Sequence, residues 1–248
     1  MCILIVLRGF HPDHPIVLAS NRDERTDRRE SPPGLWVGAR ARLLAPRDRL
    51  AGGTWLAVGR RCTFAGITNL AGVPPVAGAP SRGHLVHLAL DQDGIDAGVA
   101  AVVARVREAP HAGFQLVLGD ARRLVVVRHA EGRVAIADWP SPVLVVTNEH
   151  EPGRLEPRGL EAATGPGLGL ERRLELLADV LRDRGGDGQH AICKRGAGYG
   201  TVSSSLVALP AADPGALVWR YAPGPPDVTP YRNYGNLARR VWSGPATP

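Results

Sequence analysis

The chain begins with an unbroken apolar run from Ile3 to Leu7, breaks at HPDHP, and resumes with PIVLASN. Two apolar runs flanking a proline-bearing turn predict a β-hairpin that carries the N-terminus. The Pro- and Arg-rich stretch from Ser31 to Asp48 is expected to be a loop. GGTWLAVGRRCTFAGITN then reads as two strands joined near Gly59 to Arg61, the second ending in Thr68 and Asn69. Ser81 is a candidate cap for a helix through Leu90, and Gly94 to Glu108 places small and apolar residues at helical spacing. FQLVLGD, RLVVVRH, RVAIAD and VLVVTN predict an antiparallel series, turning at Asp120 to Arg123, Glu131 to Gly132 and Pro140 to Pro142. Its last member ends in Thr147 and Asn148. Leu170, Leu174, Leu177 and Leu181 lie on one face of a helix over Glu171 to Arg182. GTVSSSLVAL and GALVWRYA supply two closing strands around Asp213 to Gly215. This order predicts an α+β fold, two packed sheets with helices outside, as a single domain over residues 1–248.

Composition narrows the classes. A 44% apolar content over 248 residues suffices for one sizeable core. No run approaches the roughly 18 apolar residues of a membrane span, and the Ile3 to Leu7 run lacks the basic flank and length of a secretion signal. Cys2, Cys62 and Cys193 are too few and too scattered for a disulfide framework or a paired-cysteine metal site, so a reducing, cytoplasmic setting is expected. The net charge of +6 rests on dispersed arginines, with Lys194 the only lysine, which argues against a nucleic-acid surface. TGPGLGLE lacks the lysine of a phosphate loop and reads as the approach to a helix. Ser203, Ser204 and Ser205 lack a nucleophile-elbow context and read as strand-edge hydroxyls. Cys62 and Cys193 read as structural thiols, with Cys62 on a strand. The pairs His11 with His14 and His84 with His87 read as surface groups.

Cys2 changes this picture. Behind a small second residue the initiator methionine is expected to be removed, leaving one residue with both a thiol and a free α-amine. The amine titrates near ~7.7 to 8 and the thiol near ~8.5, which makes a self-contained nucleophile and base. Polar residues end three separate apolar runs: Asn21, Arg22, Asp23 and Glu24 after PIVLAS, Asn69 after FAGIT, and Asn148 after VLVVT. Strand ends converge on one rim of a sheet. There Asn69 and Asn148 are candidate donors to an oxyanion, Arg22 a candidate support for a thiolate, and Asp23 a candidate to hold the amine. Strict alternation puts Asn21 and Asp23 on one face and Arg22 and Glu24 on the other, so the four address one point only with a bulge.

MCILIV, ASNRDE, GGTWLAV, GITNLAG, SRGHL, VTNEH and YGTVSSSLV, in this order from residue 2 to about 207, resemble the successive motifs of the NRDE-motif family, the transport and Golgi organisation proteins. The resemblance implies a four-layer αββα sandwich of the N-terminal nucleophile hydrolase type. Cysteine hydrolases of that fold, such as bile salt and penicillin V acylases, are similar in having an N-terminal Cys, an early Arg and Asp, and two strand-end Asn. Cys2, Arg22, Asp23, Asn69 and Asn148 stand in comparable places as catalytic candidates. There are two departures. The acylase arginine and aspartate are spaced differently from the adjacent Arg22 and Asp23. Val202 stands where the family commonly has arginine, which leaves a different substrate or an incomplete hydrolytic site. The expectation is an amidohydrolase that cleaves a non-peptide amide of a small molecule through an acyl-enzyme on Cys2, without metal or cofactor. The alternative implied by the resemblance is a carrier of haem, for which Cys2 is a candidate thiolate ligand.

Overall fold

The computed structural model describes residues 2–59, 62–73, 76–186 and 191–242. The first hairpin is β1 (Ile3–Arg8) and β2 (Ile16–Arg25), followed by β3 (Glu30–Val37), β4 (Arg42–Asp48), β5 (Leu56–Val58) and β6 (Phe64–Asn69). Helices α1 (Gly83–Leu90) and α2 (Ile95–Glu108) precede β7 (Phe114–Gly119), β8 (Leu124–Ala130), β9 (Arg133–Asp138) and β10 (Val143–Thr147). The chain continues through α3 (Leu160–Ala163), α4 (Leu170–Arg182), β11 (Tyr199–Leu209), β12 (Val218–Ala222), β13 (Arg232–Asn233) and α5 (Leu237–Trp242). Two antiparallel sheets result. One has the order β10-β1-β2-β11-β12-β13 and the other runs β3 through β9 in sequence order.

Three apolar layers hold four structural layers together. In β1 and β2, Leu4, Val6, Ile16 and Leu18 face the second sheet, meeting Leu56, Phe64 and Val117. Their alternates Ile3, Ile5, Val17 and Ala19 meet Leu174, Leu177 and Leu181 of α4. Ala65, Leu116 and Leu118 of the second sheet carry Leu85, Val86 and Val102 of α1 and α2. Because β1 and β2 are covered on both faces, their apolar runs do not alternate with polar residues. The expected αββα sandwich is the observed fold. Among the described residues no helix is long and apolar enough to cross a membrane.

Several expectations are corrected. The stretch from Ser31 to Asp48 is no loop but lies within the β3–β4 hairpin. Pro32 and Pro33 occupy a bulge between Ser31 and Gly34 on the outer edge of the sheet, where no ladder donor is required. VLVVT does not extend the β7–β9 meander. Pro140 and Pro142 interrupt pairing, and Leu144, Val145 and Val146 need cover on both faces, which β10 finds beside β1. Ser81 does not cap α1 with its side chain, and Arg82 is the residue at the cap position. The three serines lie within the inner strand β11, buried, with the Trp219 Nε1–H donating to Ser205 Oγ at 3.3 Å. His87 is no surface group. It packs on Trp36 at 3.9 Å, and burial first, then neighbouring positive charge, lowers it to about 4. Cys62 sits in the left-handed turn before β6 rather than on a strand, and like Cys193 it is buried.

Candidate functional site

Cys2 precedes β1, one residue beyond the point where Ile3 pairs with Asn21 of β2 and Thr147 of β10. It is in phase with Leu4 and Val6, so it belongs to the face between the sheets, where the core opens into a cleft of about 350 Å³. Arg22, Asp23 and Asn69 border the same cleft. Its far wall is the GGTW turn packed on the start of α1. The Thr54 amide donates to the Gly83 carbonyl at 3.3 Å, and a Cβ on Gly53 would lie 2.6 Å from the Gly83 carbonyl carbon. A Cβ on Gly83 would in turn lie 2.8 Å from the Thr54 backbone. Both glycines are therefore required for backbone to pass against backbone.

The Cys2 thiol is held by the backbone of Asp23. The Asp23 amide donates to Sγ and the thiol donates to the Asp23 carbonyl, each at 3.4 Å. Burial pushes the thiol up to about 11, aided by the Asp23 charge, and the opposing pull of Arg22 is the weakest influence. The thiol is therefore protonated at neutral pH and needs a base at the moment of attack. Burial also raises the Asp23 carboxyl, which accepts from Thr201 Oγ1 at 2.7 Å.

The bulge that convergence requires is on the neighbouring strand. In β11, Thr201 faces Asp23 and Ser203 faces Arg22, with Val202 the extra residue between them. Asn21 turns away, donating to the carbonyls of Leu181 and Ile192 at 2.8 and 3.1 Å. Its role is to fasten β2 to the α4 layer. Arg22 enters the space between the sheets, pairing with Glu30 at 2.8 Å, Asp48 at 3.5 Å and Glu24 at 3.8 Å, with its guanidinium 4.5 Å from the Trp55 ring centre.

Arg28 completes this cluster through Asp48 at 2.6 Å and Glu24 at 3.0 Å. Burial raises Glu30, despite Arg22 and the Tyr221 hydroxyl that donates to it. Burial also pushes Asp48 upward, but Arg28 and the amides of Leu50 and Ala51 outweigh it and leave its carboxyl below the usual aspartate range. Arg22 is thus first a counter-ion for carboxylates and only weakly a support for the thiol.

Asn69, the exposed last residue of β6, lines the cleft. Asn148 follows β10 on the other side of Cys2 and is not among the lining residues. Its backbone carbonyl accepts from the Ala71 amide at 2.7 Å, and its buried Oδ1 has no partner among the described residues. Among the described residues no histidine lines the cleft, so neither pair considered for haem stands there. The sequence pattern assigns no roles to Arg82, Tyr199 and Thr201, although SRGH and YGT contain them. Tyr199 donates its hydroxyl to the Asp23 carbonyl at 3.2 Å. Lys194, noticed only for its rarity, pairs with Glu149 at 3.0 Å, and its amide donates to Thr201 Oγ1 at 2.9 Å.

Residues 1–156 match the sequence model of the Transport and Golgi organisation 2 family. The chain belongs to that family. An N-acylethanolamine-hydrolyzing acid amidase ortholog of Caenorhabditis elegans is similar in structure, with a TM-score of 0.52 at 12% identity, over 84% of this chain and 92% of that one. This likeness shows the N-terminal nucleophile hydrolase fold. A variant of conjugated bile acid hydrolase from Clostridium perfringens gives a TM-score of 0.49 at 11% identity, over 94% of this chain and 96% of that one. No curated protein sequence matches.

Proposed function

We propose that this member of the Transport and Golgi organisation 2 family is a cysteine amidohydrolase that cleaves a non-peptide amide of a small molecule through an acyl-enzyme on Cys2. The observation that carries the reading is the position of Cys2. Strand phase turns its thiol into a cleft that Asp23 and Asn69 also border.

The cycle requires removal of Met1. The Cys2 thiol then passes its proton to its own α-amine, and the sulfur attacks the amide carbon. Burial of the thiol against an ordinary amine of ~8 makes this transfer uphill. The Asp23 carboxylate favours the ammonium and narrows that gap. The side-chain amide of Asn69, on the cleft wall, donates to the oxyanion, and that of Asn148, which follows β10 beside β1 but lies outside the lining, must turn toward Cys2 to act as a second donor; each such donor contributes ~2.7 to 4 kcal/mol at the transition state. Collapse breaks the C–N bond, and the leaving amine takes the proton from the Cys2 ammonium. Water, deprotonated by the same amine, hydrolyses the thioester.

The test uses a panel of small amides, headed by N-acylethanolamines in view of the amidase neighbour. Cys2→Ala is expected to abolish turnover while circular dichroism and melting temperature stay unchanged. N-terminal mass spectrometry is expected to find Met1 removed. Turnover retained by Cys2→Ala excludes this mechanism.

A further inference from the structure

Among the described residues, the charges around the cleft leave one cation, Arg82, without a carboxylate. Arg22 is shared among Glu24, Glu30 and Asp48, and Arg28 between Glu24 and Asp48. Arg82 also lines the cleft but has no carboxylate within ion-pair distance among the described residues. One of its terminal nitrogens donates to the Gly113 carbonyl at 2.8 Å, and its other donors have no protein acceptor among the described residues. Burial lowers its pKa, and the more distant charges of Arg28 and Glu24 act on it in opposite senses.

We propose that Arg82 makes this cleft a carboxylate-recognition site, so that the amide presented to Cys2 carries an anionic group. The inference deepens the amidohydrolase reading and rests on it for the word amide. Glu24, Glu30 and Asp48 are engaged by Arg22 and Arg28, and Asp23 lies at the Cys2 end of the cleft, so a carboxylate entering from the α1 side meets in Arg82 a cation with no carboxylate within ion-pair distance among the described residues. A guanidinium offers a planar fork matched to two carboxylate oxygens, and partial burial strengthens the pairing by excluding water. Apolar stretches of the wall are built by Trp55, Ile67, Val76, Ala79, Pro80 and Ala112. A ligand that fits therefore joins one carboxylate to an apolar body, with its amide between Arg82 and the thiol. Arg82 is held in place because Gly83, the first residue of α1, is locked against Gly53 and Thr54. It supplies a cation from the α1 side of the cleft where Val202 of β11 supplies none.

The test needs no turnover. Iodoacetate and iodoacetamide alkylate a thiolate by the same step: the C–S bond forms, the C–I bond breaks and iodide leaves. They differ in the carboxylate that only iodoacetate carries. The rate ratio of the two reagents at Cys2 in the full chain, read by peptide mass spectrometry, is compared with that of free cysteine at the same pH and salt. Thiolate content cancels in each ratio.

The Cys2 ratio is expected to exceed the free-cysteine ratio by roughly tenfold at low ionic strength, as for one partly desolvated ion pair. Arg82→Gln is expected to bring it within about twofold of the reference, and Arg82→Lys to retain an intermediate preference. A wild-type ratio at or below the reference overturns the proposal, as does an Arg82→Gln protein with an unchanged ratio. Should Arg82→Gln not fold, the salt dependence of the wild-type ratio decides, since a preference unaffected by ionic strength is not electrostatic. Failure of the hydrolase reading would instead appear as turnover by Cys2→Ala, which leaves the alkylation ratio of the wild-type chain untouched.

Discussion

Replacing Arg22 with methionine separates two roles that sequence alone leaves joined. The Arg22 side chain is 6% exposed and its closest partner, Glu30, 12%. Removing one member of a buried ion pair typically costs ~3 to 5 kcal/mol because the other charge is stranded. Asp48 and Glu24 keep Arg28 at 2.6 and 3.0 Å, so only Glu30 is orphaned, with the Tyr221 hydroxyl as its remaining donor. The low end applies, about 3 kcal/mol, or ~6 to 12 °C of melting temperature for a chain of this size.

The loss is expected to depend on pH. Without Arg22, the already raised Glu30 rises further, and between ~4.3 and that folded value the native state holds a proton that the unfolded state has released. Stability of the variant therefore falls as pH rises through this window, so Arg22→Met loses more at pH 8 than at pH 5. Adding Glu30→Gln should recover at least half of the loss at pH 8. Calorimetry at the two pH values provides the measurement. Iodoacetamide labelling of Cys2 in the same variant is expected to change by less than tenfold, because Arg22 is the weakest influence on the thiol. A loss below 1 kcal/mol at pH 8, or a larger loss at pH 5, would refute the counter-ion role.

Two further substitutions probe the supports of the site. Asn21→Leu leaves the carbonyls of Leu181 and Ile192 without their donor, for an expected loss of ~2 to 4 kcal/mol by denaturant unfolding. Cys2 labelling should be unchanged, and an unaltered midpoint with reduced labelling would place Asn21 in the cleft after all. Gly83→Ala drives a Cβ to 2.8 Å from the Thr54 backbone, with an expected cost of ~1 to 3 kcal/mol and a smaller iodoacetate preference as Arg82 shifts. An alanine variant with native stability and undiminished preference would show that the contact does not position Arg82.

The elements most legible in the sequence were those whose pattern matches a single local period. The α4 leucines and the first hairpin are examples, because one face of α4 and both faces of β1 and β2 are buried. The β3–β4 hairpin was hidden because prolines are read as breaks, yet an edge strand tolerates them. The transfer of β10 to the other sheet was hidden because an apolar strand does not name its neighbour. The candidate site was legible as residue types at strand ends. Their division of labour was not, since Asn21 and Arg22 are adjacent in the chain and lie on opposite faces of β2.

The sequence by itself determined that Cys2, an NRDE strand end and two strand-end asparagines accompany an α+β fold, because strand alternation, helix periodicity and motif order are local properties of the chain. Only the tertiary structure decided which of these groups meet. The bulge in β11 places Thr201 against Asp23, three carboxylates claim Arg22, and the contact of Gly53 with Gly83 fixes the start of α1 beside Arg82, which has no carboxylate within ion-pair distance among the described residues. Burial and charge pairing depend on neighbours distant in sequence, and one chain position carries no record of which charge will face it across two sheets.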